Sequence, residues 1–289
     1  MNLVLHPNTE TAIKRYLGKP GHALLIEAAD GAGKGALAAY IASCLLGTEV
    51  NRLSRQPFFQ IVRPIDGTIS IDAIRAIQRF MRLKTIGSSH SIRRVLVLEN
   101  AELLTIEAQN AFLKLLEEPP ADTVIILTVV NQSMLLPTIR SRVQIVRLNA
   151  PSPADLEKHF AGHGFKNSDI VKAYHISEGQ AGLMQALLSD DTEHPLVSQI
   201  QVAKKLLSSS IFDRLIVVDQ LSKHRADCEQ LLKALQLVCH AALTQAVERG
   251  KDATVIRWHR SMAKLTQAQQ SFTSNPNLKL LLTDLLLGL

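Results

Sequence analysis

Residues 22–35 read His-Ala-Leu-Leu-Ile-Glu-Ala-Ala-Asp-Gly-Ala-Gly-Lys-Gly, and this stretch decides the fold. Ala23–Glu27 is an apolar run of strand length, and Lys34–Leu46 reads as the helix that follows. The segment Ala28–Gly35 lies between them, where a phosphate-binding loop belongs. Glycine lets backbone N–H groups close around phosphate oxygens, and a helix N-terminus adds positive potential. The full pattern is G-x-x-x-x-G-K-[ST]. Gly33 and Lys34 match it and Gly31 lies within the loop, but Ala28 stands at the first position and Gly35 at the last. The missing hydroxyl is the group that ligates Mg²⁺ in the intact pattern. Strand-loop-helix context predicts phosphate-loop ancestry, with working catalysis a separate question. The plainer alternative is a glycine turn at a helix start with Lys34 in solvent.

The alternation continues outward. Phe58–Arg63, Arg94–Glu99, Val124–Thr128 and Val143–Leu148 read as strands. Ser70–Lys84 reads as a helix with Ser70 at its N-cap, and Thr105–Glu117 as one stopped by Pro119 and Pro120. Strands alternating with helices predict a parallel sheet covered on both faces. The pattern changes at Asn149-Ala-Pro-Ser-Pro153, after which no convincing strand is found. Pro153–Ala161, Ser168–Ile176 and Gly179–Leu188 look like three short helices. Beyond the acidic turn at 190–195, Leu196–Leu207, Phe212–Leu221 and Asp227–Val247 carry apolar residues at helical spacing. Leu278–Leu289 is strongly apolar, and its exposed-looking Leu280–Leu287 part is expected either to need a partner surface or to cover the domain's own core.

Composition bounds the rest. The 289 residues are 46% hydrophobic and 20% charged, which excludes wholesale disorder. No apolar run has the length of a membrane span, and Met1–Lys14 lacks the pattern of a signal peptide, so a cytoplasmic protein is expected. Cys44, Cys228 and Cys239 are scattered without any CxxC pair, giving neither a disulfide framework nor a metal site; all three are expected on apolar helix faces. The net charge is +6, of which residues 1–150 carry +5 (17 Lys+Arg against 12 Asp+Glu). Nine basic residues lie between Arg52 and Arg94, against Asp66 and Asp72. Arg75, Arg79 and Arg82 fall at i, i+4 and i+7 and share one helix face, leaving Ile74, Ile77 and Met81 for the core. Such a face either is solvated or binds phosphates without reading sequence.

The third strand ends in Glu99-Asn100, where many phosphate-loop ATPases carry Asp-Glu. Asn100 cannot serve as a general base, because an amide takes no proton near neutral pH. Glu99 is expected to be a strand-end carboxylate that caps the next turn rather than a metal ligand.

His22–Lys34, Val95–Glu102, the Ala108-Gln-Asn-Ala-Phe-Leu-Lys-Leu-Leu-Glu-Glu-Pro-Pro120 stretch and Leu136-Pro-Thr-Ile-Arg-Ser-Arg142 together resemble bacterial clamp-loader subunits of the AAA+ superfamily. Glu178–Leu187 and Asn275–Leu289 continue the likeness weakly. The resemblance implies a RecA-like α/β P-loop domain (1–148), a three-helix lid (149–192) and an all-α collar for oligomerisation (193–289). It implies a hetero-pentamer with gamma/tau-like ATPases and a delta-like subunit, acting on a sliding clamp and primer-template DNA within a DNA polymerase holoenzyme. The lid arginine of working members aligns with Gly182. With Gly35 and Asn100, this departure implies a chain that is not an enzyme on its own and requires no cofactor, residual ATP or ADP binding being left open. The intact Ser141-Arg142 pair implies an arginine finger given to a neighbour's ATP; its alternative is a surface ion pair. Val143 replaces the usual cysteine of that motif, and the family's four-cysteine zinc module is missing. Two further readings stand beside this one: an active gamma-type ATPase, and a DNA-binding AAA+ adaptor outside the polymerase.

Overall fold

The computed structural model describes residues 3–83, 92–191, 194–272, 274 and 276–289. Lys84, the expected end of the second helix, and Thr192 and Glu193, at the expected lid–collar boundary, lie outside the described residues, as does Asn275. The chain forms two compact units, residues 1–155 and 156–289.

The first unit is a five-stranded sheet, β1 (Ala23–Glu27), β2 (Phe59–Val62), β3 (Arg94–Leu98), β4 (Thr123–Val129) and β5 (Gln144–Arg147). The spatial order is β2-β3-β4-β1-β5 and every pairing is parallel. The helices are α1 (Pro7–Gly18), α2 (Lys34–Leu46), α3 (Ile71–Met81), α4 (Ile106–Glu117) and the short α5 (Pro137–Arg140). Successive residues of a strand point to opposite faces. Leu25, Leu96, Leu98, Ile125 and Leu127 join one core with α3, α4 and α5. Leu24, Ile26, Val95, Val97, Val124 and Ile126 join the other with α1 and α2. Burial on both faces explains why the central strands read as unbroken apolar runs.

Local chemistry sets the element ends. Thr105 caps α4, its Oγ1 accepting the Ala108 N–H at 3.2 Å. Ser70 occupies the N-cap of α3 with extended backbone, yet its side chain makes no capping bond. Helix α1 escaped the sequence reading; His6 caps it by accepting from the Asn8 N–H.

The chain from Pro153 onward is helical among the described residues, its first helix starting within the last residues of the first unit: α6 (Pro153–Gly162), α7 (Asn167–Ser177), α8 (Ala181–Leu188), α9 (Pro195–Ser208), α10 (Ile211–Ile216), α11 (Val218–Leu221), α12 (Arg225–Glu248), α13 (Asp252–Phe272) and α14 (Leu278–Gly288). The expected helix over 212–221 is broken in two near Val217. One core runs from Leu183 and Ala186 of α8 through α9 and α12 to Leu282, Leu285 and Leu286 of α14. The apolar C-terminal segment therefore largely covers its own core, and only part of it, such as Leu280 and Leu287, faces outward. Cys228 and Cys239 are buried as expected, whereas Cys44 is exposed.

Candidate functional site

The site lies at the carboxyl ends of the strands, where β1 stands between β4 and β5, the end of an open α/β sheet at which ligands bind. Gly31 (φ 81°) and Gly33 (φ 93°) bend the chain between β1 and α2 through left-handed conformations that other residues resist. Lys34 opens α2 directly after this turn and is buried, 7% exposed. Its ammonium donates to Ala28 O (2.9 Å) and Ala29 O (3.3 Å) and pairs with Asp30 Oδ1 (3.2 Å). The alternative of a solvated lysine is thereby overturned: burial of an ammonium requires these acceptors.

Gly35 faces the end of β3. A β-carbon there would lie 3.0 Å from Glu99 Oε1. The other carboxylate oxygen, Oε2, accepts from Arg63 Nε at 2.9 Å. Glu99 is thus paired across the sheet and does not cap the following turn, which corrects the expectation from sequence. Asn100 adopts a left-handed conformation (φ 54°) that asparagine tolerates better than most residues. Its N–H donates to Thr128 Oγ1 at 3.0 Å. These residues do not fit a magnesium nucleotide: position 35 offers no hydroxyl, and the nearby carboxylate already carries a cation.

Two further carboxylates organise the neighbouring loops. Glu27, ending β1, accepts from the Gln132 N–H (3.0 Å), Gln132 Nε2 (3.1 Å) and Arg147 Nε (3.0 Å). Glu102 Oε1 accepts from the Val130 N–H at 3.0 Å. Burial pushes the Glu27 carboxyl up, but Gln132 and Arg147 outweigh it and hold the pKa below its usual value.

Arg142 follows α5 and Ser141. Its Nη2 meets Glu117 Oε1 at 2.9 Å, and its Nη1 donates to Thr138 O (2.8 Å) and Ser141 Oγ (3.3 Å). The side chain remains 35% exposed. The ion pair foreseen as the alternative is therefore present, and it presents the guanidinium in one orientation. Arg140, two residues earlier, is half-buried. Gly182, at the lid-arginine position, lies in the first turn of α8.

Arg75, Arg79 and Arg82 are all exposed and line one shallow depression with Asp72 and Gln78, while Ile74, Ile77 and Met81 are buried. Arg75 pairs with Asp72 at 2.9 Å. Arg94, counted from sequence among the basic residues of this region, is instead 1% exposed. Its guanidinium donates to the carbonyl of Met81 at the end of α3 and to that of Leu83 just beyond it, and lies near the rings of Phe58 and Phe80. Sequence reasoning missed Arg63, Asp30, Glu117 and Arg94; only the Glu117-Glu118-Pro119-Pro120 motif carried a hint of one of them.

Among known families, the one described as DNA polymerase III, delta subunit, matches residues 9–152. The DNA polymerase III subunit delta' of Escherichia coli is 30% identical over 207 residues, 65% of this chain and 60% of that protein. Its counterpart in Pseudomonas aeruginosa is 33% identical over 138 residues, 42% of this chain and 41% of that protein. Each match thus spans less than two thirds of the relative's length. A DNA polymerase III gamma subunit-related protein of Thermotoga maritima shares the fold, with a TM-score of 0.57 at 21% identity over 96% of this chain and 97% of that one. Among the described residues, no helix is long and apolar enough to cross a membrane.

Proposed function

We propose, from the premise that this chain belongs to the AAA+ clamp-loader subunit family, that it is a non-hydrolysing structural subunit of a bacterial clamp loader. In this reading it takes part in DNA replication by helping to load a sliding clamp on primed DNA. Its partners are gamma/tau-like ATPases and a delta-like subunit in a ring of five. Residues 1–148 form the AAA+ domain, 149–192 the lid and 193–289 the collar. The exposed arginines of α3 contact primer-template phosphates in the assembled ring.

One observation carries the reading. The pocket lacks the hydroxyl at Gly35, and Asn100 replaces the base of intact relatives, while Arg142 stays at the surface on an intact Pro-Thr-Ile-Arg-Ser-Arg turn. A guanidinium is always protonated and neutralises charge developing on a transferred phosphoryl group. Its use is in a neighbour's site, reached by exchanging the Glu117 pair for phosphate.

The test is a reconstituted loader carrying Arg142→Ala. Assembly should be unchanged, since losing an exposed ion pair typically costs ~1 kcal/mol or less. DNA-stimulated ATP turnover and clamp loading should fall, because an arginine finger contributes about 10³-fold or more at its own site. Other sites in the ring keep their own fingers, so total turnover falls only in part. Arg140→Ala is the local control, removing the same charge two residues away. Equal small effects from both substitutions would reduce Arg142 to a surface cation.

A further inference from the structure

The following inference rests on reading this pocket as non-hydrolysing and concerns what keeps it closed. We propose that Arg63 is the resident counter-ion of the pocket's carboxylate, and that it acts with Asp30 to close the site with the chain's own charges. A hydroxyl restored at position 35 then does not by itself admit a magnesium nucleotide.

The β2–β3 register pairs Val62 with Leu98, so the next residues, Arg63 and Glu99, emerge side by side at the strand ends. Arg63 Nε holds Glu99 Oε2 at 2.9 Å, while Oε1 leans over Gly35 to within 3.0 Å of where a β-carbon would stand. Any side chain at 35 must push the carboxylate aside while Arg63 retains it from the other end. A divalent cation ligated by Glu99 meets the guanidinium as a like charge and must displace it.

The phosphate seat is closed in the same manner. An ammonium has three N–H donors, and Lys34 has three acceptors in reach: Ala28 O, Ala29 O and Asp30 Oδ1. To meet a phosphate it must leave them, and the Asp30 carboxylate repels the incoming anion. The two pairs share no atom, and each places one positive and one negative group of the chain where a nucleotide and its metal bring their own. Arg63 is 67% exposed, so its removal leaves the fold intact.

The experiment titrates the full chain with a ribose-labelled fluorescent ADP, in Mg²⁺ and in EDTA, beside a thermal melt of each variant. Wild type and Gly35→Thr should bind weakly and alike. Gly35→Thr combined with Arg63→Ala should bind in Mg²⁺ at least about tenfold more tightly than Gly35→Thr, a gain that EDTA abolishes. Gly35→Thr combined with Arg63→Lys keeps the charge and should stay closed. Asp30→Asn should raise affinity in EDTA several-fold by releasing Lys34. The inference is overturned if Gly35→Thr alone binds as tightly as the double variant, or if a double variant with a native melt binds no better than wild type. An unchanged affinity of Asp30→Asn overturns the Lys34–Asp30 half. If the threonine disturbs the start of α2, Gly35→Ser carries the same comparisons. ATP turnover by the wild-type chain would sink the proposed function; an inert wild type beside a Gly35→Thr that binds unaided would sink this inference alone.

Discussion

Glu27 shows what a single side chain does at this site. It ends β1, and its carboxylate gathers the loop after β4 through Gln132 and the edge strand β5 through Arg147. Its carboxyl is held below the usual range despite burial. A group with a depressed folded pKa contributes stability above its unfolded pKa, and that contribution disappears as pH falls through the folded value. Glu27→Gln should therefore cost on the order of 1 kcal/mol at neutral pH. The gap between variant and wild type should close below about pH 4, where an unperturbed carboxyl becomes protonated. Urea unfolding at several pH values measures this, and a gap that stays constant with pH would contradict it. Lys34 and Arg142 were legible as residues, because their motifs are local. Their partners Asp30 and Glu117 were not singled out: an ion pair depends on side-chain direction, which spacing alone does not give.

At the scale of an element, α3 divides the basic segment into two kinds of arginine. Ile74, Ile77 and Met81 bury one face, and the helical period then turns Arg75, Arg79 and Arg82 outward. Arg94 instead supplies N–H donors to the Met81 carbonyl at the helix end, where intrahelical donors run out, and to the Leu83 carbonyl just beyond. The two kinds should separate in experiment. Replacing Arg75, Arg79 and Arg82 together by Ala should leave the chain's stability nearly unchanged and, under the proposed function, lower the salt slope of DNA binding by the reconstituted assembly. Arg94→Ala should destabilise the first unit by roughly 2–3 kcal/mol, because it strips bonds from buried carbonyls and opens a cavity beside Phe58 and Phe80. An unchanged salt slope for the triple variant would return the face to plain solvation. A neutral Arg94→Ala would mean its buried bonds are replaceable by water.

For the whole molecule, the two cores set where the chain can be cut. Both cores that sandwich the sheet are confined to residues 3–148, inside the first unit. The core of the second unit runs from Ile176 to Leu289 and joins the expected lid helices α7 and α8 to the expected collar helices. A fragment of residues 1–155 should therefore unfold cooperatively by itself, as a domain with its own core does. A fragment ending near His194 keeps α8 but loses the helices that cover Leu183 and Ala186, so it should expose apolar surface and aggregate. Denaturant titration and light scattering of the two fragments make the comparison. A soluble, cooperative 1–194 fragment with a lone stable lid would restore a three-part division at the level of folding.

The alternation of apolar runs and helical periods, the glycine turn before Lys34, the absent hydroxyl at Gly35 and the amide at Asn100 were all readable without coordinates. Each is a matter of residue type and near-neighbour spacing, which is where period, backbone freedom and proton chemistry reside. The strand order decided the rest. Glu99 meets Arg63 only because β3 lies beside β2 with Val62 opposite Leu98, and Glu27 meets Arg147 only because β5 pairs with β1. Those partners stand 36 and 120 residues apart in the chain. No local pattern encodes such a pairing; it follows from which strands share an edge and in what register, and that is settled by burying both faces of the sheet at once.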